Sequence, residues 1–132
     1  MEQKKEFIKR RLKLAQDKLK SAKLLLKYRQ YRDTISRAYY SMFYSAKAYL
    51  MAKGEDPASH HGVKVLIHKL STQKGELEPL YAKMLTVVQE ERMKAEYNEL
   101  STFHRKEALQ AIEWAEIFSE SQKTNLTPPP HL

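Results

Sequence analysis

The residues of this chain best suited to chemistry are two arginines, a histidine and a tyrosine, in three separate segments. Arg92, Glu96 and Tyr97 fall in ERMKAEY, Arg37 falls in SRAYYSMFYSAKAYL, and His60 falls in SHHGV. Tyr81, Leu85 and Val88 form an apolar helical row whose continuation is Arg92 and Ala95, so a cation is carried onto a core-facing row. A buried guanidinium needs a carboxylate, a phosphate or a partner chain. Glu96 stands four residues after Arg92 and can meet it on one helix face. Arg37 heads a stripe of small residues, Ser41, Ser45, Ala48 and Ala52, and Asp33 lies one turn before it. The periodicity thus carries Arg37, Arg92 and Glu96 inward, where Arg92 can pair with Glu96 and Arg37 with Asp33. Other chemistries find less support. The three glycines stand alone, which excludes a Gly-rich phosphate loop, and no HExxH occurs. His60 and His61 are adjacent, so on a helix their rings diverge by about 100° and form no chelating pair. His61 and His68 share a face with no acidic or histidine ligand between them. No metal and no cofactor is expected. The absence of cysteine removes thiolate catalysis, Cys-based zinc sites and disulfides.

The elements that must position these groups read as helices. Residues 3–28 carry Ile8, Leu12, Ala15, Leu19, Ala22 and Leu26 at alternating steps of four and three, the seam of a helix packed lengthwise on another. After a short connection, Asp33 is placed to cap a second helix that runs to about Lys53, with Gly54 in the left-handed conformation at its end. This second helix is apolar almost all round and must be wrapped by neighbours. Its small stripe suits close helix approach, within the chain or across a dimer. Ser59 is placed to cap a short third helix, His60 to Leu70. Pro79 suits the first turn of a fourth helix that extends to about Glu96. Ser101 or Thr102 is placed to cap a fifth, whose core face is Ala108, Ala111, Ile112, Ala115 and Phe118. The expected architecture is all-α: an up-and-down bundle of four principal helices plus one short one, over residues 1–123. Thr124–Leu132, with Pro128, Pro129 and Pro130, reads as a flexible Pro-rich tail.

The length of 132 residues suits one domain with a real core, and 42% hydrophobic with 30% charged residues excludes a disordered chain. No apolar run approaches the roughly 20 residues of a membrane span, and no apolar signal core follows the N-terminal charges. A cytoplasmic protein is the expectation. The net charge of +8 is unevenly placed. Residues 1–32 hold 12 of the 24 Lys and Arg but only 3 of the 16 acids. The first helix is thus a basic face that suits RNA or an acidic protein, or that simply keeps the protein soluble.

Together, SRAYYSMFYSAKAYL, SHHGV and ERMKAEY resemble HEPN-domain proteins, over Lys4 to about Lys123. The likeness is greatest to the small stand-alone prokaryotic branch. The resemblance implies a four- or five-helix bundle that forms a homodimer and often pairs with a minimal nucleotidyltransferase in toxin–antitoxin systems. It also implies, for many members, metal-independent ribonuclease activity. That activity rests on an Arg followed, after four to six residues, by a His. Arg92 matches the arginine, but Tyr97 stands where the histidine belongs, and His104 lies twelve residues beyond Arg92. A phenol is a poor general base at neutral pH. His60 is the candidate to supply an imidazole from another helix.

Three functions follow. The first is a dimeric nucleotide- or RNA-binding partner of a nucleotidyltransferase, whose polar groove of Arg37, Arg92, Glu96 and Tyr97 holds a nucleotide or RNA phosphate, with Tyr97 as a modifiable group. The second is a ribonuclease toxin using Arg92 with His60. The third is a nonspecific RNA- or protein-binding module acting through the basic first helix.

Overall fold

In a computed structural model, which describes residues 2–73, 75 and 77–126, five helices follow one another: α1 (Glu2–Lys27), α2 (Tyr31–Ala52), α3 (His60–Thr72), α4 (Pro79–Tyr97) and α5 (Arg105–Leu126). No strand occurs among the described residues. The protein is all-α, as its periodicities require.

α2 is the centre. Twelve of its 22 residues are buried, whereas α1 buries only Ala15 and Ala22. The contrast follows from composition, since α2 is apolar nearly all round and α1 only along a seam. α1 packs lengthwise on α2, and α5, α4 and α3 also touch α2. Ile35, Tyr39, Met42, Tyr49 and Leu50 are at most 1% exposed and meet Val63, Ile67, Leu85, Val88 and Phe118 in one core. Burying each such large side chain contributes about 1.5–3 kcal/mol. The small stripe on α2 is used within the chain. Ser41 and Ser45 face α5, with their hydroxyls 3.5 and 3.0 Å from that of Ser119.

The helix ends differ from expectation in two places. Asp33 is not the cap of α2, which begins at Tyr31 after Gln30. α1 ends in a Schellman turn: Arg29 takes the left-handed conformation (φ 60°), its N–H reaches Leu26 O, and the N–H of Gln30 reaches Leu25 O. That turn redirects the chain so soon that Asp33 falls inside the first helical turn. Nor does Ser101 or Thr102 cap α5. Its first turn is closed by Glu107, whose carboxylate accepts the His104 N–H at 2.8 Å, the reach-back half of a capping box. Elsewhere the expected punctuation holds. Ser59 Oγ accepts the Gly62 N–H at 2.9 Å, Gly54 has φ +88°, and Pro79 opens α4. α5 runs on through Thr124 to Leu126, and the rest of the expected Pro-rich tail lies outside the described residues.

Candidate functional site

The local sequence explains why one arginine, one histidine and three tyrosines gather near the end of α4. Arg92 follows the buried row Leu85, Val88 on α4, and it is 6% exposed. Tyr39 and Tyr40 are consecutive on α2, so one ring enters the core and the other lies at its edge. His60 is the first residue of α3, held there by the Ser59 cap. Gly62 lets that cap close, since a Cβ there would lie 3.1 Å from both Pro57 Cβ and Ser59 Oγ.

Arg92 is the hub. One terminal nitrogen donates to Tyr40 Oη at 2.8 Å and pairs with a Glu96 carboxylate oxygen at 3.0 Å. The guanidinium carbon lies 5.3 Å from the ring centres of both Tyr39 and Tyr40, and 5.7 Å from that of Tyr97. Three aromatic faces therefore surround one cation. Its Nε is buried without a partner among the described residues. Burial opposes the charge, but the hydrogen bonds it donates to Glu96 and Tyr40 and the attraction of Glu96 prevail, and the guanidinium is held above its ordinary value.

His60 belongs to the same cluster. Its Nδ1 lies 2.7 Å from Tyr39 Oη, and its ring packs 4.3 Å from that of Phe43 and 5.9 Å from that of Tyr40. Burial first, then the charge of Arg92, holds the imidazole below its ordinary value, while Glu96 pulls the other way. Burial likewise pushes the Tyr39 phenol above its ordinary value. At neutral pH this is a neutral imidazole beside a fixed guanidinium.

The predicted site residues divide accordingly. Arg92, Glu96 and Tyr97 meet directly, and His60 joins them through Tyr39 and Tyr40. Arg37 does not enter the cluster. It is exposed, forms no ion pair with Asp33, and lines the rim of a roughly 330 Å³ pocket with Leu25, Asp33, Ser36, Tyr40 and Glu96. Of the small stripe that it heads, Ser41, Ser45 and Ala48 are buried, the two serines against Ser119 of α5, whereas Arg37 itself faces solvent. Glu96 and Tyr40 connect this pocket to Arg92. Tyr97 is 69% exposed, so its hydroxyl is accessible while its ring covers Arg92.

Two polar partners were not legible in the sequence. Tyr40 reads as an apolar position, yet its hydroxyl holds Arg92. Arg32 reads as part of a connection, yet its guanidinium donates to the carbonyls of Ala95 (2.7 Å), Asn98 (3.1 Å) and Ser101 and lies over Phe103. The one available signal for Arg32 was general: the last carbonyls of α4 need donors, and no glycine follows to supply a turn. Elsewhere, His68 Nε2 lies 2.7 Å from Thr86 Oγ1, and His61 is exposed. Among the described residues no three His, Asp or Glu side chains gather as a metal site.

Comparison with known proteins identifies the family. A family model described as HEPN domain matches residues 8–125. A UPF0332 protein of Pyrococcus horikoshii is 46% identical over 61% of this chain, and the match spans only 57% of that relative's length. A protein of Methanocaldococcus jannaschii named "Putative toxin MJ0605" is 36% identical over 70% of this chain and 69% of its own. A UPF0332 protein of Thermotoga maritima is 30% identical over 92% of both chains. A match of that extent, on a five-helix all-α chain, places it in the HEPN domain family.

Proposed function

We propose that the protein is a dimeric nucleotide- or RNA-binding partner of a separate nucleotidyltransferase, in a pair of toxin–antitoxin type. The observation that carries this reading is the exposed Tyr97 phenol lying over the buried Arg92 guanidinium. Arg92 is a fixed positive charge for a phosphate, and its present counter-ion, Glu96, is a side chain that an incoming anion displaces. Arg37 adds a second cation at the rim of the adjoining pocket. Met93, Tyr97 and Leu100 are exposed apolar groups on and just past the same helix end, which suits a second copy of the chain covering the cleft. The name of the M. jannaschii relative supports the toxin side of the pairing. Tyr97 is the acceptor: its oxygen attacks the α-phosphorus of ATP, pyrophosphate leaves, and the phenolic proton passes to a base on the transferase. Mass spectrometry after incubation with the transferase and ATP tests this. A gain of one nucleotidyl group, absent in Tyr97→Phe, is expected. An unchanged mass with a transferase active on another acceptor contradicts it.

The position of His60 favours a second reading, a metal-independent ribonuclease. Arg92 stabilises charge on the phosphate, and an imidazole from α3 stands in for the histidine that Tyr97 replaces. RNA cleavage that disappears in Arg92→Ala supports it; cleavage unaffected by that change removes it. The basic face of α1 offers only a general attraction. Lys9, Lys13 and Lys20 are exposed, and Lys13 is paired with Asp17 at 2.7 Å. RNA binding through that face falls steeply with salt and with replacement of these lysines. Binding at the Arg92 cleft falls with Arg92.

A further inference from the structure

The hydrogen bond between Tyr39 and His60 fixes more than the position of a ring. Tyr39 is 1% exposed, and His60 Nδ1 is its hydroxyl's one hydrogen-bond partner among the described residues. If Nδ1 carried the proton and donated to Tyr39, the phenolic proton would point into the core with no acceptor. Buried donors are very rarely left so. The phenol must therefore donate and Nδ1 must accept. A neutral imidazole that accepts at Nδ1 carries its proton on Nε2. Nε2 has no hydrogen-bond partner among the described residues and is not among the buried polar atoms that lack one, so it reaches solvent. The surroundings agree with a neutral ring. Lys47 of α2 and Arg92 of α4 disfavour a second proton, Glu96 of α4 favours it, and Tyr40 and Phe43 present aromatic faces.

We infer that Tyr39 is a positioning residue that holds His60 as the Nε2–H tautomer, so that the cleft offers a phosphate oxygen an N–H donor beside Arg92 rather than a base. This rests on the reading of the cleft as a phosphate site, but the tautomer itself does not. In the nuclease reading His60 keeps its proton and donates a hydrogen bond from Nε2 to a non-bridging phosphate oxygen, because a neutral ring that lost this proton would be left as imidazolate; the 2′ oxygen bonds to phosphorus as the bond from phosphorus to the 5′ oxygen breaks, and water protonates that departing oxygen. The initial removal of the 2′-hydroxyl proton belongs to another base, which water supplies.

Long-range proton–nitrogen correlation spectra of the ¹⁵N-labelled protein at neutral pH test the assignment. His60 is expected to show a protonated Nε2 and an unprotonated, hydrogen-bonded Nδ1. In Tyr39→Phe the preference should fall several-fold toward that of free imidazole, with the helical circular dichroism retained. A protonated Nδ1 in the wild-type protein, or a preference unchanged in Tyr39→Phe, overturns the inference. If Tyr39→Phe does not fold, the wild-type spectrum alone decides, since only one tautomer is compatible with donation by Tyr39. Titration with inorganic phosphate and with a short RNA separates the two levels. A shift of Nε2 supports the donor role. The expected tautomer with an Nε2 that responds to neither ligand refutes the phosphate-site reading and, with it, the donor role.

Discussion

Two arginines end up at the same end of the bundle and are used in opposite ways. Arg32 spends its guanidinium on backbone: carbonyls of Ala95, Asn98 and Ser101 accept from it, and Phe103 lies against it. These are the acceptors that the end of α4 and the following connection cannot satisfy themselves. Among the described residues Arg92 meets side chains only and leaves Nε without a partner, and the exposed ring of Tyr97 covers it. The first arrangement is spent on the backbone of one helix end and the connection after it. The second is held by one carboxylate and one phenol, both replaceable. The difference separates an arginine that builds the site's frame from one that can work within it.

Breaking the frame should have the largest effect. Arg32→Ala leaves three or more carbonyls without their donor and should cost about 3 kcal/mol in urea unfolding, since each hydrogen bond to a charged group contributes roughly 1.5–3 kcal/mol and neighbouring ones do not add fully. Its folded fraction should bind RNA as the wild type does. Arg92→Ala should cost less, about 2 kcal/mol, because Tyr40 and Glu96 can turn to water. RNA or nucleotide affinity should nevertheless fall at least about tenfold, as for loss of a charge-assisted contact of about 1.4 kcal/mol or more. Equal binding losses in the two variants would erase the distinction between the arginines.

Acidity tests the cluster more gently. The His60 imidazole is held below its ordinary value of 6.5 in the folded protein, so the unfolded chain takes up a proton first as pH falls through that value. Stability should therefore decline below it, and His60→Gln should flatten that decline in thermal unfolding followed between neutral and mildly acidic pH. A smaller cost than for Arg92→Ala, about 1 kcal/mol, is expected for Glu96→Gln, because the buried guanidinium loses its counter-ion while the amide oxygen can still accept from it. Anion affinity should rise in that variant, measured by calorimetry with phosphate or a mononucleotide, because Arg92 loses its internal competitor. An unchanged affinity would mean that Glu96 does not occupy the ligand's place.

The sequence made the frame easier to read than the site. α2 reads as the centre because Ile35, Tyr39, Met42, Ala46 and Leu50 leave it no polar side broad enough for solvent. Arg92 reads as inward because it continues the row of Leu85 and Val88. Periodicity misled at Arg37, because each step of four advances about 40° round the helix and Arg37 has turned out to solvent while Ser41 and Ser45 face α5. Asp33, Ser101 and Thr102 have the chemistry of caps, but where a helix starts depends on the turn before it, here a left-handed Arg29, and on the reach of Glu107. The pairings of Tyr40 with Arg92 and of Tyr39 with His60 join residues 52 and 21 positions apart. Such pairs depend on how α3 and α4 cross α2, and no spacing within one helix encodes that.

The account's central claim is that Arg92, with His60 near it, receives the phosphate. The most direct measurement follows the side-chain Nε–H resonance of Arg92 and the ring nitrogens of His60 while a short RNA or a mononucleotide is added. The account predicts saturable shifts of both, with Glu96 released from Arg92 and Tyr97 perturbed beside it. Saturation of binding with shifts confined to Lys9, Lys13 and Lys20 on α1, and none at Arg92, would contradict it.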